Sequence, residues 1–187
     1  VAQQSEEHEI TKAVKRAIEG DTEAYSWLYS LYVGRIYRYV FYHVGNKMAA
    51  EDITEEVFLK SWKSLSSCKG KEQTFSAWLY RIAHNHLVDT FRKSRKEVPF
   101  TNVDLVEDED PQKEAEDSLE LQRVLEAVKR LPEPQKQVIL LKFFEDNDNA
   151  EISRILGKRK GAVRALQMRA LNNLRERFNP GVKSNGR

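Results

Sequence analysis

"NAEISRILGKRKGAVRALQMRALNNLRERF", residues 149–178, joins a short apolar-patterned segment to a longer one through a turn that contains glycine. The spacing predicts a helix over 149–156, capped by Asn149 and stopped by Gly157, and a second helix over 160–178. This is the layout of a helix-turn-helix. Glu151 and Ile152 pack the first helix, while Val163, Leu166, Ala170 and Leu174 recur at three and four residues and give the second an inward face. Arg159, Lys160, Arg164, Gln167 and Met168 remain outward near its start, with Arg169 beside them. Residues at the start of such a helix enter the major groove, and Arg and Gln carry forked donors that match base edges there. The same pattern also describes a helical hairpin with a solvated basic face, and residue types alone leave both readings standing.

Upstream of this motif, helices are expected over 118–130 and 134–145, divided by Pro132 and Pro134. Before them lies "EVPFTNVDLVEDEDPQKEAEDS", residues 97–118, with two prolines and few large apolar residues. Such a composition does not pack a core, so 97–117 reads as a flexible acidic linker. Further upstream the apolar periodicity is helical again, over 8–19, 23–44, 48–65 and 74–96. Gly20 ends the first of these and Asp21 or Thr22 caps the second, whose stripe is Tyr25, Leu28, Tyr32, Ile36, Tyr39 and Val40. The expected fold is all-α: two small helical domains, 8–96 and 118–178, joined by the linker and followed by a disordered polar tail, 179–187.

The charge distribution follows the same division. Residues 1–96 carry 15 Lys/Arg against 12 Asp/Glu, residues 97–118 carry 1 against 9, and residues 119–187 carry 15 against 8. Two basic blocks thus flank an acidic one. Nothing approaches the roughly 20 apolar residues of a membrane span, so no membrane insertion is expected and the chain reads as cytoplasmic. Cys68 is the only cysteine, which leaves no internal disulfide and no zinc pattern. His84 and His86 are two apart on a helix and point about 200° from each other, so they cannot chelate one metal ion. Glu51, Asp52, Glu55 and Glu56 have no His or Lys pair nearby in sequence to tune them, and no nucleophile elbow or phosphate loop is present. No enzyme, metal or cofactor is implied.

The segment "TFSAWLYRIAHNHLVDTFRKSRK", residues 74–96, carries two faces on a helix. Phe75, Leu79, Ile82, Ala83, Leu87 and Phe91 gather toward a core. Trp78, Arg81, Asn85, Val88 and Arg92 gather opposite, and a flat aromatic, an amide and cations together suit stacking on bases and holding phosphates of an opened strand. Packing of Trp78 beneath the preceding loop is the other reading.

"AYSWLYSLYVGRIYRYVFYHVG", "AAEDITEEVFLKSW", residues 74–96 and, beyond the linker, "LPEPQKQVILLKFFEDNDNAEISRILGKRKGAVRALQMRALNNLRERF" resemble successive parts of the extracytoplasmic-function sigma factors of bacteria, group IV of the sigma-70 family. The resemblance covers about 10–96 and 118–178 in order. It implies a factor that binds core RNA polymerase, recognises −10 and −35 promoter elements and promotes strand opening, acting in the cytoplasm and at the nucleoid when in holoenzyme. Asp52, Glu55, Glu56, Leu59 and Trp62 are then the core-polymerase contacts. Lys69, Lys71, Trp78, Arg81, Asn85, Asp89 and Arg92 are the −10 contacts, and Arg159, Lys160, Arg164, Gln167, Met168 and Arg169 the −35 contacts. Promoter DNA, core polymerase and an anti-sigma factor are the implied partners, and the acidic linker would follow the RNA path of the polymerase. The alternative is a helix-turn-helix regulator or adaptor whose N-terminal bundle serves only protein contacts.

The sequence also departs from this family. Relatives place Ser or Thr where Arg159 stands, Leu where Asn147 stands, and a basic residue then Leu at Leu166 and Gln167. Loss of a helix cap costs about 1 kcal/mol.

Overall fold

The computed structural model describes residues 2–68, 74–97 and 115–178. Lys69 and Lys71, most of the predicted linker and the tail at 179–187 lie outside the described residues. All the regular structure within them is helical, as the apolar periodicity predicts. The chain divides into two compact units, the first built on α1–α4, the second carrying α5, α6, α8 and the first residues of α7.

In the first unit, α1 spans Ala2–Ile18, α2 Thr22–Val44, α3 Lys47–Ser64 and α4 Phe75–Glu97, with a 3-10 turn at Leu65–Cys68 after α3. Helix α1 starts six residues before the expected position because Ala, Gln and Glu favour helix without supplying an apolar stripe to announce it. Gly20, at φ 100°, ends the approach to α2 in a backbone region that side chains rarely enter. Asp21 then caps α2, accepting from the Ala24 amide at 3.0 Å and from Arg16 Nε at 2.8 Å. The Ala24 bond first, and Arg16 second, hold this carboxyl below its ordinary pKa.

The core of this unit is the stripe read from α2 meeting α3 and α4. Leu28, Ile36, Tyr39, Val40, Val57, Leu79, Tyr80 and Leu87 are fully buried, and Tyr39 meets Tyr80 edge to face at 5.3 Å. Burial of this kind contributes roughly 1.5–3 kcal/mol per large apolar side chain. Tyr25, on the stripe's edge, donates to the Phe58 carbonyl at 2.8 Å and shares a hydrogen bond with Ser61. Burial raises its phenol pKa.

The C-terminal part of the chain carries α5, Ala115–Lys129; α6, Glu133–Ile139; a π-helical turn at Leu140–Phe144; α7, Asn149–Leu156, whose first residues belong to the second unit; and α8, Lys160–Phe178. Helix α5 begins inside the segment expected to be linker, since Glu116 and Asp117 are residue types that helix N-termini favour. The expected helix 134–145 is α6 continued into the π-turn. Asn147 explains its end: the buried side-chain amide donates to the Leu141 carbonyl at 3.2 Å and to that of Glu145 at 3.4 Å. Its own backbone N–H also reaches the Leu141 carbonyl, at 2.9 Å. Helix α6 packs on α8, where Asn173 donates to Gln135 at 2.8 Å.

Candidate functional site

Three exposed faces carry the residues singled out by the sequence. The first is on α3. Ala50, Ile53, Thr54, Val57, Phe58 and Ser61 turn inward, which leaves Asp52, Glu55, Glu56, Leu59 and Trp62 together on the opposite face. Leu59 is 57% exposed and Trp62 40%, large values for apolar side chains. The two faces follow directly from helical spacing. Two residues of α2 extend this surface: Tyr25 meets Trp62 edge to face at 4.6 Å, and Tyr29, itself exposed, meets Phe58 at 4.7 Å. Sequence reading placed Tyr25 in the core stripe and passed over Tyr29, although their spacing of four puts both on one side of α2. Asp52 and Glu55 form no ion pair among the described residues. Glu56 differs, lying 3.1 Å from His86 Nε2 and 3.9 Å from Lys60 Nζ. The carboxylate has His86 beside it, which distance along the sequence concealed, and Lys60, an i,i+4 neighbour on the same helix.

The second face is on α4. Thr74 caps this helix through a bond from the Ala77 amide at 3.1 Å. Arg81, Asn85, Val88, Asp89 and Arg92 are exposed in one stripe, and Arg92 pairs with Asp89 at 3.3 Å. Trp78 does not belong to this stripe. It is 6% exposed and packs against Phe75 at 5.6 Å between ring centres, so its ring is not presented for base stacking. The helical-wheel reading failed because α4 is packed by α1, α2 and α3, and the buried arc is wider than a two-sided wheel allows. Ile82 and Phe91, read as core, are only partly buried.

The third face is on α8. Asp148, not Asn149, caps α7: it accepts from Ala150 and Glu151 amides, while the Glu151 carboxylate accepts from the Asp148 amide at 3.0 Å. This reciprocal capping box needs Glu three residues after the cap, which selects Asp148. Gly157 ends α7 at φ 62°. The turn is then closed by Ser153, whose carbonyl accepts from the Lys158 amide at 3.0 Å and whose hydroxyl donates to the Lys158 carbonyl. Arg159 has no side-chain acceptor to cap α8, and its carbonyl takes the Val163 amide at 3.1 Å. Val163 and Ala170 are buried and Leu166 and Leu174 half-buried. Arg159, Lys160, Arg164, Met168 and Arg169 are exposed, and Gln167 is partly so. Arg159, Lys160 and Arg164 form no ion pair among the described residues, whereas Arg169 Nε is engaged with the Ala165 carbonyl at 3.2 Å.

No group of three or more His, Cys, Asp or Glu placed to hold a metal ion occurs among the described residues. Nor is any described helix long and apolar enough to cross a membrane.

Two family profiles match the chain: Sigma-70 region 2 over residues 28–97 and Sigma-70, region 4 over residues 121–174. The chain is 34% identical over 177 residues to the ECF RNA polymerase sigma factor BldN of Streptomyces coelicolor, covering 92% of this chain and 67% of that one. It is 31% identical over 181 residues to the ECF RNA polymerase sigma factor SigW of Bacillus subtilis, covering 90% and 96%. The chain belongs to the ECF RNA polymerase sigma factors. The fold of this sigma factor is also that of CnrH, solved with the cytosolic domain of CnrY, at a TM-score of 0.68, 20% identity and coverage of 91% and 97%. RpoE of Bartonella quintana, solved with the anti-sigma factor NepR, gives a TM-score of 0.68 at 19% identity, covering 84% and 98%. The two family profiles and the relatives above 30% identity give this chain the function of a sigma factor: it binds core RNA polymerase, recognises promoter elements and promotes strand opening. The regulator or adaptor reading is not favoured.

Proposed function

We propose that the three exposed faces divide this work between them. The α3 face, with Asp52, Glu55, Leu59 and Trp62, docks on core polymerase; Glu56 sits at its edge. An apolar centre rimmed by charge is the usual anatomy of a protein interface. The α4 stripe of Arg81, Asn85, Asp89 and Arg92, with Lys69 and Lys71 ahead of it in the sequence, receives the −10 element as it opens. Trp78 supports this stripe from beneath rather than touching DNA. Arg159, Lys160, Arg164, Gln167, Met168 and Arg169 on α8 meet the −35 element in the major groove, and residues 97–117 link the two DNA-binding parts.

One observation carries the reading: among the described residues, Arg159, Lys160 and Arg164 are exposed at the start of α8 with no carboxylate paired to them, while Arg81 and Asn85 on α4 are likewise unengaged. Cations left unpaired on two separate helices are available to two separate stretches of phosphate. An anti-sigma factor is a further proposed partner, one that would cover the exposed Leu59 and Trp62 when polymerase does not. The protein acts in the cytoplasm, at the nucleoid while in holoenzyme, and performs no catalysis of its own. In vitro transcription with core polymerase and a promoter library tests the reading. Initiation from promoters sharing a −10 and a −35 sequence is expected, with Arg164→Ala disturbing selection only at −35 and Asn85→Ala only at −10. Selection insensitive to both substitutions would refute the division of labour.

A further inference from the structure

His86 has no part in the functions assigned above, and its surroundings are specific. Its ring, on α4, reaches across to α3, where Nε2 donates to the Glu56 carboxylate at 3.1 Å and Nδ1 accepts from the Lys60 ammonium. An ammonium has no lone pair, so Nδ1 must be the bare nitrogen. Nε2 is then the donor to Glu56, and the ring is held between partners of opposite charge. The side chain of His86 is 11% exposed, against 58% for Glu56, so the ring lies under its partners rather than beside them in solvent.

The bridge joins helices with different tasks. Glu56 follows Glu55 on the α3 surface that faces core polymerase, and His86 follows Asn85 on the helix that faces the opened strand. Successive residues of a helix are fixed about 100° apart. Holding the His86 ring against α3 therefore also holds the azimuth of Arg81, Asn85 and Asp89. We propose that His86 is a positioning residue that, through Glu56 and Lys60, sets the rotation of α4 against α3, so that the strand-receiving stripe stands correctly when α3 is docked. This rests on the division of labour proposed above.

The test uses holoenzymes carrying His86→Leu and His86→Gln, compared with wild type and with Asn85→Ala. Leucine fills the seam and makes neither bond. Glutamine retains one acceptor for Lys60 and one donor for Glu56. Core affinity should stay within about twofold for both His86 variants, with unfolding temperatures no lower for Leu than for Gln, since each adds only one polar or apolar group to a nearly buried site. Permanganate reactivity of the −10 region on duplex promoter should fall about fivefold for Leu, the scale of one net hydrogen bond between partly exposed groups, and by less than about twofold for Gln. Lys60→Met, which removes the Nδ1 bond and the exposed 3.9 Å ion pair with Glu56 but leaves Nε2 its bond to Glu56, should fall between them. Equal opening by Leu and wild type, equal loss in Leu and Gln, or loss of core affinity in step with opening would each overturn the proposal. Failure of the underlying reading is distinguished by the control: Asn85→Ala would then open as well as wild type.

Discussion

Trp78 separates packing from stacking on DNA. The residue is 6% exposed and sits against Phe75, so truncation to Ala removes a buried aromatic and leaves a cavity, at about 3–5 kcal/mol. A domain stable by about 5–15 kcal/mol loses much of its margin, and loss of every activity together would reveal nothing about DNA. Trp78→Phe is the more informative change. It keeps an aromatic in the same site and is expected to cost about 1–2 kcal/mol, at the low end of large-to-small core changes. For a domain of this size each kcal/mol lowers the melting temperature by about 4–8 °C, so a shift of about 5–15 °C is expected by circular dichroism. Core binding and permanganate reactivity, measured at 20 °C where the variant remains folded, should both stay within about threefold of wild type, because a ring that meets no base has none of the roughly 1–3 kcal/mol of stacking to lose. A Trp78→Phe protein whose melting point moves by less than about 3 °C while opening falls tenfold at unchanged core affinity would refute burial as the role of Trp78.

The other expected outcomes are as follows. Replacing Asp52 and Glu55 together by Ala should raise the dissociation constant for core polymerase about tenfold, as for loss of a well-placed interface contact, with no change in melting temperature; an unchanged constant removes the acidic face from the interface. Arg164→Ala in holoenzyme should lose about 1–3 kcal/mol of discrimination at a single −35 base pair. Uniform loss on all sequences, with the slope of log K against log salt shallower by about 0.9, would instead mark a phosphate contact. Burial pushes the Cys68 thiol up to about 11, so at pH 8 only about one molecule in a thousand carries the reactive thiolate. Iodoacetamide should accordingly label the native protein far more slowly than the urea-unfolded one, with the rate rising as pH climbs toward 11. Equal rates in the two states would show that the 3-10 turn does not shield the sulfur.

What the sequence made legible was whatever a single helix can decide alone. Most of the α2 stripe and the glycine that ends α7 follow from spacing and backbone conformation within one element, and the structure places them as read, except Tyr25, which lies at the stripe's edge. What stayed hidden depends on neighbours. Trp78 is buried because three helices pack around α4. Glu56 meets His86 because α3 and α4 lie side by side, across a gap of 30 residues in sequence. The choice between Asp148 and Asn149 as cap was open to the sequence, since Glu151 stands three residues after Asp148, but the neighbouring Asn is an equally good cap by residue type.

Asn147 shows how a departure from the family pattern is accommodated. Leucine at that position would offer only apolar surface, whereas here the site is 2% exposed and filled by an amide. A buried amide without partners costs about 1–3 kcal/mol, so its persistence needs acceptors. The end of the helix provides them: widening at Leu140–Phe144 leaves the Leu141 carbonyl to Asn147, whose amide also donates to the carbonyl of Glu145, just past the π-turn. Lys142 reaches forward to the Asn147 carbonyl at 3.3 Å and ties the same turn from the other side. Asn147 and the π-turn are thus one feature rather than two anomalies. They fix where the chain leaves α6 and enters the Asp148 cap, immediately ahead of the helix pair that carries Arg159, Lys160 and Arg164. The atypical residue therefore acts on the approach to the proposed −35 face and not on the face itself, which leaves two departures, the missing side-chain cap at Arg159 and the pair Leu166 and Gln167, on the helix proposed to meet DNA.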